Sequence, residues 1–287
     1  MVEYIYNTPV DDKPFTAEEI DEGMDLLEKA GINTGYDDAA IESYAVFCKL
    51  REDGVIPNGR AFLPRVEPLY EQALHRAMRR VQDEIPHEDL AIQIDLAAET
   101  AFWETSITDP KDIKADSGLN FFKPWWDGDV KERCLSHIIH MAEQVAQDVE
   151  LGIHNCYGDM NHRHWHEPTS LAAVVDRGIS VMEASPHKIN WFHCPVPKSA
   201  LERPEVGLDA YLAPLKDLVP YLEKNDTELY LGLVHEHRPD LTQQMIEAAK
   251  KVVPAFGIAT ECGGGRMEWK DFEGALKIAK ENSEPSL

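Results

Sequence analysis

Residues 151–168 have the sequence LGIHNCYGDMNHRHWHEP, which contains four histidines and one cysteine. Its first part, LGIHNCYG, is an apolar run typical of a buried strand, and the run stops at a glycine. Residues two apart in a strand point to the same face, so His154 and Cys156 are expected to lie side by side. An imidazole and a thiolate together at a strand end suit zinc. Two ligands do not complete a site, and the best further candidate is Cys262 in the segment IATECGGGR.

Strands and helices mostly alternate after this stretch. The predicted strands are, in order, 90–97, 151–156, 179–185, 189–194, 229–235 and 255–260. The predicted helices are 66–84, 130–149, 169–176, 208–223, 240–252 and 270–281, with two more near the N-terminus at 16–31 and 37–51. Such alternation indicates a parallel sheet with helical crossovers, and hence an α/β protein. The rhythm breaks once, where the strands 179–185 and 189–194 follow each other without a helix.

Polar residues stand at the C-terminal ends of these strands. They are Asp95, His154, Cys156, Glu183, His193, His235 and Cys262. In a (β/α)8 TIM barrel all such ends meet at one mouth, where active sites form. An open doubly wound sheet would also gather strand ends, but GGGR at 263–266 lacks the spacing of a dinucleotide-binding loop. We therefore predict one TIM-barrel domain over residues 1–287, mostly helical at 1–89 and with regular βα units at 90–281.

The composition narrows the class of partner. The chain has 287 residues and a formal net charge of -24, which argues against nucleic acid and anionic membranes. No apolar run approaches the ~20 residues of a membrane span, and the N-terminus lacks the features of a signal peptide. The five cysteines do not form the pattern of a disulfide framework. We expect a cytoplasmic protein that acts on a small molecule, with a homo-oligomer left open.

Five segments occur in an order that resembles a known family. They are IQID (92–95), IHNCYGD (153–159), VMEAS (181–185), LGLVHEH (231–237) and IATECGGGR (258–266). Over about residues 66–275 the chain resembles the C-terminal catalytic barrel of cobalamin-independent methionine synthase. That enzyme shares a superfamily with uroporphyrinogen decarboxylase, and the motifs HxCYGD and ATECGxGR are shared with a branch of single-barrel proteins within it.

The resemblance implies a zinc site and a set of catalytic groups. In the synthase, zinc is held by the His and Cys of an HxC strand end, a Glu at the next strand end and a Cys near the last strand. The matching positions here are His154, Cys156, Glu183 and Cys262. Asp95 matches a carboxylate of the substrate pocket. Either His235 or His237 matches a histidine proposed there for proton transfer.

The chain also departs from the family pattern. It contains no counterpart of the synthase's N-terminal half, which supplies part of the folate-binding machinery, and no convincing strand is predicted before residue 90. We therefore expect a barrel that is incomplete or modified in its N-terminal part. His162, His164 and His166 are not part of the family pattern. They are two residues apart on a predicted loop. Three interpretations stay open: they line the mouth of the barrel, they lie at the surface, or they form a second metal site.

Four further residues are candidates for substrate contacts. His193 stands at a strand end, and His162 and His164 belong to the loop after the HxC strand. Trp126 lies in KPWWDGD (123–129), a predicted loop that would cover the mouth as a lid or simply pack against the fold.

Zinc held by two thiolates would bind a substrate thiol as its thiolate, a nucleophile at neutral pH. The predicted function is therefore zinc-dependent transfer of a methyl or alkyl group to a thiol, with Asp95 orienting a cationic group or exchanging a proton. Two alternatives stay open. One is a metal-dependent lyase or hydrolase that cleaves a C–C, C–O or C–S bond of a small molecule. The other is a non-catalytic barrel that binds a small molecule.

Overall fold

The structure is a computed structural model that describes Thr16 and residues 63–108, 111, 124, 126–158, 164, 167–202 and 207–283. Apart from Thr16, the predicted helices at 16–31 and 37–51 lie outside the described residues. The chain from Leu63 onward forms one compact unit. A single domain over residues 1–287 stays a prediction.

The described part of the chain alternates between helices and strands. In chain order its elements are α1 (Leu63–Glu84), β1 (Ala91–Leu96), α2 (Ala98–Ile107), α3 (Val130–Ala142), β2 (Glu150–Asn155), α4 (Ala172–Ala184), β3 (Trp191–Pro195), α5 (Ser199–Glu202), α6 (Leu208–Leu212), α7 (Leu215–Asn225), β4 (Glu228–Val234), α8 (Pro239–Ala249), β5 (Gly257–Thr260) and α9 (Trp269–Asn282). Five of the six predicted strands are confirmed, each within two residues of its predicted ends.

The five strands form one parallel sheet in the order β1-β2-β3-β4-β5. At least one helix separates each strand from the next, and such a crossover is what allows neighbouring strands to run parallel. The order follows the chain, without the reversal that creates the switch point of a doubly wound sheet. The predicted α/β class is therefore confirmed, while closure into an eight-stranded barrel stays a prediction.

The two faces of the sheet differ in chemistry, because apolar and polar residues alternate along the strands. Helices cover one face, where Ile153, Phe192 and Leu231 are fully buried. The opposite face carries mainly polar and aromatic side chains, which are Gln93, Asp95, Glu150, His154, Trp191, His193, Glu228 and Tyr230. A parallel sheet that is covered on both faces has apolar residues at both sets of positions. This second face is therefore suited to meet solvent or a ligand.

One predicted strand is wrong. Residues 179–185 belong almost entirely to α4, which also includes part of the predicted helix 169–176. The buried residues of α4 include Val174, Gly178, Val181 and Met182. Gly178 is four residues after Val174, and Val181 and Met182 are three and four residues after Gly178, which is the period of a helix face. Val181 and Met182 of the segment ISVM are therefore part of the buried stripe of a helix, and the alternation of strands and helices has no break there.

Two other predicted helices differ from the structure. The predicted helix 130–149 is α3, which ends at Ala142. The turn that follows is held by Gln82 of α1, whose side chain bonds to the backbone of Gln144 and Ala146 at 3.0 and 2.7 Å. The predicted helix 208–223 is divided into α6 and α7 near Pro214, because proline has no N–H to continue α6.

Candidate metal centre

The C-terminal ends of β1, β2 and β3 bring three polar residues into line. Asp95 pairs with His154, and His154 pairs with His193, in the register of the parallel strands. Paired residues of neighbouring strands point to the same face, so the three side chains lie side by side. Cys156 follows β2, and its N–H donates to the carbonyl of Leu96 at 3.0 Å. The extended geometry therefore continues past the end of β2 and keeps Cys156 on the face of His154.

His154, Cys156 and Cys262 form a cluster that could hold a metal ion. One donor atom from each residue lies within 4.8 Å of the others. The two sulfur atoms are 3.7 Å apart although the cysteines are separated by 106 residues. The N–H of Gly158 also donates to the Cys156 sulfur, at 3.3 Å. The structure therefore brings together three of the four predicted metal ligands.

The two thiols differ in acidity because they share a hydrogen bond. The hydrogen bond from Cys156 is the main cause that lowers the pKa of Cys262, and the nearby His154 adds to it. The same hydrogen bond, together with burial, raises the pKa of Cys156. The pair therefore favours a thiolate at Cys262, and a bound cation would draw a second proton from Cys156.

His193 fixes the ring of His154. The Nε2 of His193 must donate to the carbonyl of Thr260 at 3.1 Å, since a carbonyl only accepts. Burial and the neighbouring His154 lower the pKa of His193 to about 3, so its ring is neutral and its Nδ1 carries a lone pair. The Nδ1 of His154 lies 2.9 Å from that atom and must donate to it. The Nε2 of His154 is then left with the lone pair that a metal requires.

A glycine in β4 makes this contact possible. His193 lies on β3 and Thr260 on β5, so the imidazole must cross β4. It crosses at Gly232, where a Cβ would lie 3.2 Å from the Nε2 of His193 and 2.8 Å from the Cα of Glu261. Gly232, the glycine of the segment LGLVH, therefore allows the neighbouring groups to approach closely.

Glu183, the fourth predicted ligand, is not part of the cluster. It lies in the last turn of α4 with an exposed side chain. The preceding residues Val181 and Met182 are buried, so Glu183 occupies the solvent side of the helix. The prediction of Glu183 as a ligand required it to stand at the end of a strand. In the structure Glu183 belongs to a helix instead.

An open cavity of about 640 Å³, called the first cavity below, borders one side of the cluster. Asp95, His154, His193 and Cys262 are among its lining residues. Asp95 is exposed and accepts a hydrogen bond from Gln93 at 2.9 Å. Asp95 and His193 thus line a cavity beside the candidate ligands.

A second cavity, of about 350 Å³, is lined by Cys156, Cys262, His164 and Glu261. The Nε2 of His164 lies 2.6 Å from a carboxylate oxygen of Glu261, and its Nδ1 lies 2.9 Å from Glu167. Burial disfavours the charged imidazole, but the hydrogen bonds and charges of Glu167 and Glu261 outweigh burial and raise the pKa of His164 to about 10. His164 is therefore a cation at this cavity. Cys262 lines both cavities, so the cluster stands between them.

Glu261 lies at the site but was not predicted from the sequence. It directly precedes Cys262, and its side chain is 19% exposed. The signal that could have identified it is the carboxylate next to a candidate ligand cysteine in ATEC. Its partner His164 stands far away in the sequence, so only the fold brings the two together.

The two candidate histidines after β4 have different surroundings. His235 is 2% exposed, lines the second cavity and donates from Nε2 to the carbonyl of Val196 at 2.9 Å. Burial is the main cause that lowers the pKa of His235, so its ring is neutral at pH 7. His237 has a left-handed backbone with φ 58° and pairs with Asp271 at 2.7 Å, with 66% of its side chain exposed. The structure therefore places His235 rather than His237 at the site.

Trp126 lies away from both cavities. Its ring packs edge-on against Phe102, with 5.0 Å between the ring centroids, and the guanidinium of Arg133 lies 5.0 Å from the ring. Trp126 lines a separate cavity with His137. Trp126 therefore packs against neighbouring side chains and does not form a lid over the site. His162 and His166 lie outside the described residues.

Comparison with protein-family models and with curated proteins gives no match for this chain. Among the described residues, no helix is both long enough and apolar enough to cross a membrane. The grounds for a function are therefore the donor atoms of the cluster and the two cavities beside it.

Proposed function

We propose that this chain is a cytoplasmic zinc-dependent enzyme that transfers a methyl or alkyl group to a thiol, as its resemblance to cobalamin-independent methionine synthase implies. In this proposal β1 to β5 are five strands of a (β/α)8 barrel, and the site lies at its mouth. The supporting observation is the convergence of one imidazole and two cysteine sulfurs between two cavities.

The donor set fits zinc. Tetrahedral zinc binds thiolates at ~2.3 Å, which puts two sulfur ligands about 3.8 Å apart. The two cysteine sulfurs here are 3.7 Å apart. Magnesium and calcium prefer oxygen ligands, so sulfur and imidazole donors disfavour them. Three protein ligands leave one position for a substrate, and zinc bound there would supply the Lewis acidity that keeps a substrate thiol deprotonated.

The chain's own residues would orient the ligands and handle protons. His193 holds His154 in the tautomer that offers its Nε2. Asp95 would orient a cationic or hydrogen-bonding group in the first cavity. His235 would accept the proton of the thiol at Nδ1, because its Nε2 is committed to the carbonyl of Val196.

Two cavities suit a reaction between two substrates. Group transfer requires the thiol and the alkyl donor to be held in contact with the correct orientation. Cys262 lines both cavities, so molecules in them would meet at the cluster. We place the thiol in the second cavity, beside His235, and the alkyl donor in the first.

A simple thiol tests the proposal. We expect 2-mercaptoethanol to bind the zinc-loaded protein and release a proton, because the bound form is the thiolate. The release would appear as a binding heat that changes with the ionisation enthalpy of the buffer. Cobalt-substituted protein should show a changed sulfur-to-metal absorption band. Metal-free protein is the control, and zinc-loaded protein that binds no thiol would overturn the proposal.

Glu261 favours one alternative, a metal-dependent hydrolase or lyase. Its carboxylate lines the second cavity beside Cys262, and a carboxylate near a metal is suited to act as a general base toward water. Hydrolysis of an ester or thioester probe by zinc-loaded protein that binds no thiol would support this alternative. Glu261→Gln should then abolish the hydrolysis.

A further inference from the structure

The first cavity is acidic. Asp95, Glu150 and Glu228 line it, and no lysine or arginine occurs among the lining residues that the structure describes. The hydrogen-bond donors to these carboxylates are neutral: Gln93 donates to Asp95 at 2.9 Å, and the hydroxyl of Tyr230 donates to Glu228 at 2.9 Å. Three carboxylates without a basic partner in this cavity disfavour an anionic ligand and favour a cationic one.

Two aromatic rings lean along the sheet at this cavity. The indole of Trp191, on β3, lies over Gly152 of β2, where a Cβ would overlap the ring. The ring of Tyr230, on β4, lies in the same way over Gly257 of β5. Both rings are half-buried and line the cavity. Glycines in the neighbouring strands thus make room for an aromatic wall, and the faces of aromatic rings attract cations.

We propose that the first cavity binds an organic onium cation, either a quaternary ammonium or a sulfonium group, and that this cation is the alkyl donor. The binding part follows from the cavity alone, and the donor part rests on the proposed transferase function. Carboxylates together with ring faces recognise an alkylated cation, since its weakly hydrated methyl groups contact the rings while its charge meets the acids. A small metal ion would use the carboxylates and gain nothing from Trp191 and Tyr230.

The transfer balances as a displacement. The sulfur of the thiolate attacks an alkyl carbon of the onium ion and forms a C–S bond. The bond between that carbon and the onium nitrogen or sulfur breaks, and its electron pair goes to the departing atom. A neutral amine or thioether leaves, and the proton of the thiol passes to His235 or to solvent. Both charged reactants become neutral, so no oxidant or further reactant is needed.

Tetramethylammonium tests the cation site without zinc or a thiol. We expect metal-free protein to bind it at least about tenfold more tightly than tert-butanol, a neutral molecule of similar size, in a titration followed by saturation-transfer NMR. Glu228→Gln removes one charge with little change of shape, and Trp191→Leu removes one ring. Each should weaken tetramethylammonium about five- to tenfold. Trp269→Leu, at a ring that is 69% exposed on α9, is the matched control and should leave the affinity unchanged.

Two results would overturn the cation site. One is equal binding of tetramethylammonium and tert-butanol, and the other is an unchanged affinity in both Glu228→Gln and Trp191→Leu. The donor role has its own test, which is formation of a methyl thioether from trimethylsulfonium and 2-mercaptoethanol on zinc-loaded protein. Thiol binding without thioether formation would overturn the donor role alone. Absence of thiol binding would overturn the transferase and the donor role, while tetramethylammonium binding would still decide the cation site.

Discussion

The imidazole of His193 reaches Thr260 because residue 232 is a glycine. Gly232→Ala would place a methyl group 2.8 Å from the backbone of Glu261 and 3.2 Å from the Nε2 of His193, so a neighbour must move. We expect the free energy of unfolding to fall by about 1–3 kcal/mol, the usual effect of overpacking. Zinc should bind more weakly as well, because His154 loses its fixed tautomer. Denaturant unfolding and competition with a chelator measure the two effects.

Gly274→Ala is the matched control for that substitution. It adds the same methyl group in α9, where nothing lies within 4 Å of the new Cβ. Replacing glycine by alanine inside a helix usually stabilises it by about 0.5–1 kcal/mol, and zinc affinity should not change. If Gly232→Ala kept the original stability and zinc affinity, β4 would not be what constrains His193.

The cysteines of the cluster should decide metal binding. Cys156→Ser and Cys262→Ser each replace a thiolate by a hydroxyl, a poor zinc ligand. Each should reduce bound zinc from about one ion per chain to a small fraction of that. Cys134→Ala removes a buried thiol of α3 outside the cluster and should keep the metal. Elemental analysis after dialysis checks all three, and full zinc in one of the serine variants would exclude that cysteine from the site.

At the scale of single residues, donor chemistry could be predicted and supporting contacts could not. His154, Cys156 and Cys262 were identifiable because sulfur and imidazole donors stood near apolar runs. Gly232 and Glu261 obtain their roles from contacts across the sheet and the loop. No local pattern encodes such contacts, since the partners come from distant parts of the chain.

At the scale of elements, the His164–Glu261 pair links the loop after β2 to the segment after β5. The pKa of His164 is raised from 6.5 to about 10 in the fold. The charged imidazole therefore stabilises the fold fully below pH 6.5, and this stabilisation is lost as the pH rises through about 10. His164→Gln should lower the free energy of unfolding by about 2 kcal/mol near pH 6 and by much less above pH ~10. Urea unfolding of both proteins at each pH measures the difference.

His237→Gln provides the comparison for this pH effect. His237 pairs with Asp271, but 66% of its side chain is exposed, so solvent screens the pair and the substitution should change stability little. An effect of His164→Gln that is equally large at both pH values would mean that His164 acts through packing rather than charge.

Helices and strands could be predicted where their apolar pattern extended over enough residues to be recognised. Strand β2 and helix α9 were recognised because an apolar run or an amphipathic stripe extended over the whole element. The segment ISVM was misassigned because so short a segment, with three apolar residues in four, fits a strand or a buried helix equally well. Only the longer spacing from Val174 to Met182 reveals α4. The strand order was not readable from local patterns, since each strand's neighbours lie elsewhere in the sequence.

At the scale of the whole molecule, the hydrophobic core lies apart from the candidate metal centre. The helix-covered face of the sheet holds fully buried residues such as Leu151, Phe192 and Leu231, whereas the cluster lies near the strand ends. Removal of zinc by a chelator should therefore preserve the circular dichroism spectrum and cooperative unfolding. The Tm should fall, because a bound metal stabilises the folded state. Loss of the helical signal on chelation would instead make the metal structural.

The consecutive strand order also has a consequence for synthesis. Each strand pairs with the one that precedes it in the chain, so the sheet can grow in the order in which the ribosome delivers it. Cys262 emerges 106 residues after Cys156, once β5 has been made. A nascent chain that stops before β5 holds two of the three candidate donors and, on the proposed function, would bind the ion weakly. Metal uptake would then report that translation and folding are complete, and unfinished chains would leave the cell's metal pool largely untouched.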